Sequence, residues 1–354
     1  VNISGAIVSD HRRFDFRSDN VAGVAPEVLA ALTSAAQGSA TSYGEDEISQ
    51  RLEARLAMLF DHEVAVFSVA TGSAANALAL AQVVPGWGSV LCHEGAHIAT
   101  DECGAPEFFS SGAKLVPLAG ANGKLQADTV ATYLARDLRG VHHNQPMAVS
   151  ISQSTEAGTC YRPDEIAAIG DLCRKHGLKF HMDGARFANA QASLSCAPAE
   201  ATWKAGVDLV SFGVTKNGAM AAETVVFFDT ELAKDFGYRR KRAGHLFSKS
   251  RFVSAQFEAQ LTDGLWLRLA GHANTLASRI GKGLAGLPGI ALLYPVEANE
   301  LFVLMPESTI AHLEHTGFRF YRWEAVEGPC IRLVTAFDTE TAYADALVAA
   351  IAAA

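Results

Sequence analysis

Residues 178–190, LKFHMDGARFANA, and residues 208–228, DLVSFGVTKNGAMAAETVVFF, carry one pattern twice. Each opens on a short apolar run without polar alternation, as in a strand covered on both faces, and passes into small residues that open a turn. Asp183 ends the first run and Lys216 lies just past the second. Open α/β sheets bind ligands outside the carboxyl ends of their strands, so both side chains are expected at one binding edge. A carboxylate at that edge needs a partner. Arg186, three residues on, is one; a metal held by His181 and Asp183 is another. No other ligand cluster has suitable spacing, so no metal is expected. Lys216 sits among Gly, Ala, Asn and Met after an apolar strand. Partial burial there would lower its pKa and free the neutral amine that Schiff-base chemistry requires.

Outward from these stretches the alternation continues. EVAVFSV (63–69), SVLCH (89–93), KLVPL (114–118) and AVSIS (148–152) read as strands. Between them lie helical patterns: Asp46 to Phe60 with an apolar face at Ile48, Leu52, Leu56, Leu59 and Phe60, and Asp128 to Arg136. Another helix starts at Pro163 and stops before Gly177, and PAEATWKAG (198–206) is expected to be helical too. Such alternation predicts a mostly parallel sheet with helices on both faces. From about Arg239 the character changes. A long helical region, Val253 to Leu287, precedes strands at ALLYPV, ELFVLMP and IRLVT and helices at Glu307–His315 and Thr339–Ala350. We therefore expect a large domain over residues 18–245 and a smaller α/β domain over 246–354, with residues 1–17 packed near the latter.

Composition limits the functions open to the chain. It has 354 residues, 49% of them hydrophobic, which suits a folded core and excludes a disordered chain. Its net charge of −9 gives no global attraction to nucleic acid. No stretch approaches the roughly 18 apolar residues of a membrane span. The start, VNISGAIVSDHRRFDFR, has no basic region followed by an apolar core, so no secretory signal is expected. Six cysteines without a C-x-x-C pair suit reduced thiols in the cytoplasm.

Two glycine-rich stretches invite a phosphate. GKGLAG (281–286) matches the dinucleotide fingerprint but ends a helix instead of following a strand, so it is read as a helix end. FSVATGSAAN (67–76) has the right order: a strand to Val69, a turn at Thr71-Gly72-Ser73, then a small-residue helix. Free amides at such a start bind anions, and the Ser73 hydroxyl adds a donor. The bland alternative is a serine-capped helix. Phosphate cradle, strand-end aspartate and turn lysine in that order are what pyridoxal 5′-phosphate needs: an anchor, an acid at the ring nitrogen and an amine.

At this point the chain resembles the threonine aldolases, in particular the low-specificity L-threonine and phenylserine aldolases. These belong to the aspartate-aminotransferase-like, fold type I pyridoxal-phosphate enzymes. The motifs that carry the resemblance are FRSDN, SYGED, ATGSAAN, ATDECGAPEFF, QSTEAGTCYRPDE, HMDGARFANA, TWKAGVD, FGVTKNG and the FDTE after IRLVTA. It implies a seven-stranded, mostly parallel sheet in the large domain. It also implies pyridoxal 5′-phosphate as cofactor and cleavage of L-threonine, L-allo-threonine or phenylserine-like β-hydroxy-α-amino acids to glycine and an aldehyde. The alternative is another fold type I lyase or hydroxymethyltransferase.

By the same resemblance Lys216 carries the cofactor, Asp183 pairs with its ring nitrogen, and Gly72, Ser73 and Thr215 hold its phosphate. His97 lies against the ring. Arg332 receives the substrate carboxylate, with Arg186 and Ser18 nearby. His142 is placed near the β-hydroxyl, and His97, His142 or a water is the base. Tyr43 reaches into a neighbouring subunit's site, so a homodimer or homotetramer with shared sites is expected. The position after His142 departs from the pattern, with His143-Asn144 where an aromatic residue and proline are usual. RRKRAGHLFSKSR (239–251) replaces a turn that carries a phosphate-binding arginine, leaving Lys249 or Arg251 for a neighbour's phosphate, or a solvated basic face.

Overall fold

The seven apolar runs of the first two-thirds of the chain form one sheet in the computed structural model, which describes residues 14–324 and 327–354. They are β1 (Ala65–Val69), β2 (Gly88–His93), β3 (Lys114–Leu118), β4 (Gln145–Ser152), β5 (Lys179–Gly184), β6 (Leu209–Gly213) and β7 (Glu223–Phe227). Their order is β1-β7-β6-β5-β4-β2-β3. Neighbours from β6 through β3 are parallel, whereas β7 runs antiparallel to both β6 and β1. The expected mostly parallel sheet is therefore present, with one reversed strand. Because β7 is reversed, its first residue, Glu223, lies at the same edge as the last residues of the other strands.

Local chemistry sets the helices. Asp46 caps Glu47–Phe60 by accepting from the Ser49 amide at 2.9 Å. Pro163 opens the helix that ends at His176, where Gly177 takes φ +66°. The helix Gly72–Val83 buries every residue from Ala74 to Leu80, and its alanines let it lie close on the sheet. Phe60, Phe187, Phe212, Phe228 and Trp266 join the sheet and its helices in one core.

A second sheet, ordered β10-β11-β9-β8, is built from β8 (Ala291–Leu292), β9 (Glu300–Leu304), β10 (Tyr321–Arg322) and β11 (Cys330–Val334). It covers its own core of Leu301, Val303, Ile310, Leu313, Ile331, Leu333 and Leu347. Residues 1–13 lie outside the described residues. Phe14 and Phe16 pack in this second core, and the Phe16 amide donates to the Arg319 carbonyl at 2.7 Å. The expected long helix is two, Arg251–Leu261 and Leu265–Leu284, broken where Asp263 and Gly264 take positive φ. The handover between cores falls inside the second of these. Trp266 and Ala270 pack in the first core, Leu276, Ala277, Ile280 and Leu284 in the second. PAEATWKAG is turns with a short 3-10 segment at Trp203–Ala205, because Gly206 turns left-handed and the Trp203 indole donates to the Phe60 carbonyl. Among the described residues no helix is long and apolar enough to cross a membrane.

Candidate active site

The carboxyl ends of the strands enclose a cavity of about 280 Å³. Every strand but β3 delivers part of its wall. After β1 the chain turns into the helix Gly72–Val83, where Thr71 accepts from the Ala74 amide at 3.2 Å as the cap. That leaves the first amides of the helix, with Gly72 and Ser73, on the cavity wall. After β2 comes His97, from β5 comes Asp183, and after β6 come Thr215 and Lys216. Glu156, in the loop after β4, and Glu223, from the reversed strand, complete the ring of charge.

Asp183 is held firmly. Its Oδ1 accepts from the Ala185 amide at 3.0 Å and its Oδ2 from Asn76 Nδ2 at 2.9 Å. Asn76 Nδ2 also donates to Glu102 Oε1 at 2.9 Å, and that oxygen lies 2.9 Å from His97 Nδ1. The chain Asp183–Asn76–Glu102–His97 therefore ties the strand-end carboxylate to the imidazole. The Glu102 bond, then the charges of Glu156 and Asp183, raise the pKa of His97. Burial raises that of Glu102, against the bond from His97. Burial also pushes Glu223 up to about 7, against its bond to Thr215 and the charge of Lys216. His181 stays neutral. Its ring nitrogens pair with Ser150 at 2.9 Å and Ser211 at 3.0 Å, and burial lowers its pKa to about 4.

Beside the cavity lies a buried charge cluster. Arg186 donates to Asp19 at 2.7 and 3.0 Å and its Nη2 lies 3.3 Å from Glu300 Oε1. Arg332, on β11, pairs with the same Glu300 oxygen, and among the described residues Glu300 Oε2 has no hydrogen-bond partner. Asn299 Nδ2 donates to Asp19 at 3.1 Å. Burial would push Asp19 up, but Arg186 and then Lys216 outweigh it and hold the carboxyl at about 2. The second sheet thus meets the first through Glu300 and Arg332 next to the lysine.

The family model for beta-eliminating lyases matches residues 15–308. The chain belongs to the beta-eliminating lyase family. It is 45% identical over 338 residues to the low specificity L-threonine aldolase of Pseudomonas sp., covering 96% of this chain and 97% of that one. The corresponding enzyme of Pseudomonas aeruginosa is 44% identical, covering 94% and 95%. Among solved structures, a threonine aldolase from Leishmania major superposes with a TM-score of 0.90 at 29% identity, covering 96% of this chain and 98% of that one. The resemblance read from the motifs is thereby upheld, and with it the fold type I architecture.

Gly72, Ser73, His97, Asp183, Thr215 and Lys216 come together on one cavity wall. Other residues named from the sequence lie apart from this wall. Asp183 does not pair with Arg186, whose guanidinium pairs with Asp19 and Glu300. His142 is not at the site of its own protomer. It follows a 3-10 turn, Gly140–His142, just before β4 begins, and lines a different cavity with Lys114, Tyr133 and Arg136 at the amino ends of the strands. Ser18, Arg186 and Arg332 stand behind the cavity wall instead of on it: Ser18 accepts from the Asn20 amide at 3.1 Å, and Asn20 lines the cavity. Tyr43 is 47% exposed, away from this cavity, with Lys241 Nζ 5.0 Å from its ring. Lys249 is exposed and Arg251 donates to the Ala35 carbonyl at 3.0 Å.

Several site residues escaped the sequence reading: Asn76, Glu102, Glu156, Glu223, Asp19 and Glu300. Asp19, Asn76, Glu102 and Glu156 stand inside the motifs quoted above, and Glu223 and Glu300 inside the strand runs 208–228 and ELFVLMP. Their signal is the placing of polar residues in segments that otherwise bury themselves, as with Asn76 in ATGSAAN.

Proposed function

We propose that the protein is a pyridoxal-phosphate-dependent aldolase that cleaves L-threonine, L-allo-threonine or related β-hydroxy-α-amino acids to glycine and an aldehyde. The observation that carries this reading is the shared cavity of Lys216, Asp183 and the helix start at Gly72-Ser73. Kinship with named L-threonine aldolases over nearly the whole chain supports it.

The donor set fits the cofactor. The free amides of the Gly72–Val83 helix, the Ser73 hydroxyl and Thr215 suit a phosphate. Asp183, oriented by two donors, suits a protonated ring nitrogen, and Lys216 suits the covalent link. When bound, the cofactor supplies a sink for the electron pair of the breaking Cα–Cβ bond. The protein's own residues do the rest. Asp183 keeps the ring nitrogen protonated. His97, fixed by Glu102, would lie against the ring. Arg186 and Arg332, with Ser18, receive the substrate carboxylate and set which bond at Cα stands ready to break. Glu300, which both arginines share, is the carboxylate that the substrate's own would displace or join.

We further read the protein as a cytoplasmic homodimer or homotetramer with shared sites. Six free cysteines and an exposed Tyr43 that serves no group of its own cavity support this. Lys249 or Arg251 would then reach a neighbour's phosphate.

The test is the visible absorption spectrum with and without glycine, followed by assay of acetaldehyde from L-threonine. A yellow protein whose band shifts with glycine and which releases acetaldehyde is expected, with both properties lost in Lys216→Ala. Near-normal turnover by Lys216→Ala, or a protein that stays colourless after addition of pyridoxal phosphate, would overturn the reading.

A further inference from the structure

The loop between β4 and the helix Pro163–His176 is braced far beyond what a connection needs. Gln153 Nε2 donates to the Tyr161 carbonyl at 2.8 Å and Gln153 Oε1 accepts from the Tyr161 amide at 2.9 Å. The Thr155 amide donates to the Thr159 carbonyl at 2.9 Å, and the two threonine hydroxyls lie 2.8 Å apart. Thr159 Oγ1 also donates to the Asn122 carbonyl at 2.7 Å. Gly158 takes φ +73°, and a Cβ there would fall 2.7 Å from the Glu300 carbonyl oxygen, so the loop is pressed against β9. The Gly158 carbonyl accepts from the Ala298 amide at 3.0 Å.

Glu156 stands at the tip of this brace and lines the cavity. Among the described residues its carboxylate makes neither a hydrogen bond nor an ion pair. The charged groups that face it are Arg186 from the start of the helix after β5, Lys216 from the turn after β6, Glu300 from β9 and His97 from the helix after β2. The other cavity carboxylates are engaged. Asp183 is bound by Asn76 and the Ala185 amide, Glu102 by His97 and Asn76, and Glu223 stands against Thr215 on the phosphate side.

Resting on the aldolase reading, we propose that Glu156 is the base that takes the proton of the substrate's β-hydroxyl. Arg186, which with Arg332 holds the substrate carboxylate, is the strongest charge acting on Glu156. The carboxylate and the β-carbon are both attached to Cα, so the hydroxyl is delivered next to the group that faces Arg186. Within one protomer His142, the histidine nominated for this task, lies at the other end of the sheet, and His97 has one nitrogen committed to Glu102. Burial raises the pKa of Glu156, which makes its anion a stronger base near neutrality. In the step a Glu156 oxygen takes the hydroxyl proton, the O–H pair forms the aldehyde C=O, and the Cα–Cβ pair stays with Cα. Glu156 gives its proton to solvent after the aldehyde leaves, and Cα takes one proton to yield glycine, so the count closes.

The experiment compares wild-type holoenzyme with Glu156→Gln and Glu156→Asp. Expected for Glu156→Gln is a loss in kcat for L-threonine of about 10²–10⁴-fold. Glycine lacks the β-hydroxyl, so its Kd by absorbance titration and the exchange of its Cα hydrogen in D2O should stay within about twofold of wild type. Glu156→Asp keeps a carboxylate and recovers part of the rate, and the acid limb of the wild-type pH profile disappears in Glu156→Gln. Cleavage by Glu156→Gln within about fivefold of wild type would overturn the proposal. So would a parallel loss of glycine affinity and exchange, which would make Glu156 a positioning residue. Wild-type protein that binds glycine but cleaves no β-hydroxy amino acid would instead fail the aldolase reading, and this inference with it.

Discussion

Replacing Glu102 with glutamine tests whether the Asp183–Asn76–Glu102–His97 chain sets the protonation of the histidine. The substitution is close to isosteric. Glu102 Oε1 accepts from both Asn76 and His97 at 2.9 Å, while Oε2 accepts nothing, so an amide nitrogen can take the Oε2 position without breaking a bond. What is lost is the charge. A hydrogen bond to a charged group contributes about 1.5–3 kcal/mol, and one pKa unit corresponds to about 1.36 kcal/mol. The Glu102 bond is the largest cause of the raised His97 pKa, so its neutralisation should lower that pKa towards the ordinary imidazole value. The Cε1 proton of His97, followed by NMR against pH, reads this directly. A His97 titration that does not move between wild type and Glu102→Gln would refute the coupling.

Three further expectations concern stability. Asp19 is held at about 2 in the folded protein against about 3.9 when unfolded, so its contribution is complete above pH 4 and lost as pH falls through about 2. Asp19→Asn should cost about 3–5 kcal/mol at pH 7 by leaving Arg186 short of a buried partner, and should flatten the fall of urea stability between pH 4 and 2; an unchanged slope would exclude the pair as its cause. A Cβ on Gly213 would lie 2.1 Å from Glu223 Oε2, so Gly213→Ala should cost about 1–3 kcal/mol and weaken cofactor retention; an unchanged melting temperature would show that Glu223 can move away freely. Phe60→Ala, deep in the first core, should cost about 3–5 kcal/mol in denaturant unfolding, and a loss below 1 kcal/mol would mean that the site collapses to fill the space.

The inner strands were legible because they are buried on both faces, and apolar runs such as LVSFG (209–213) and ETVVF (223–227), buried throughout, leave little choice. Helix ends were legible where chemistry marks them, at Asp46, Pro163 and Gly177. PAEATWKAG was not, because a tertiary bond from Trp203 and a left-handed Gly206 override its composition. Asp263 broke the long helix for a similar reason, since a left-handed residue leaves no periodic signal. In the site, residues adjoining a strand end could be placed from local context, as Lys216, Asp183 and Gly72 were. Glu102 could not, because the short helix His97–Thr100 ends between it and its partner, so no helical spacing links the two. Asp19, Arg186 and Glu300 come from distant parts of the chain and meet only after both sheets have formed.

The helix Leu265–Leu284 is about 30 Å long and roots its two ends in different cores. A rod shared in this way ties the two sheets together, so that they cannot separate without breaking helical hydrogen bonds in mid-span. It also couples the two cores in unfolding, so heat should melt them in a single cooperative transition, the small unit gaining the stability of the large one.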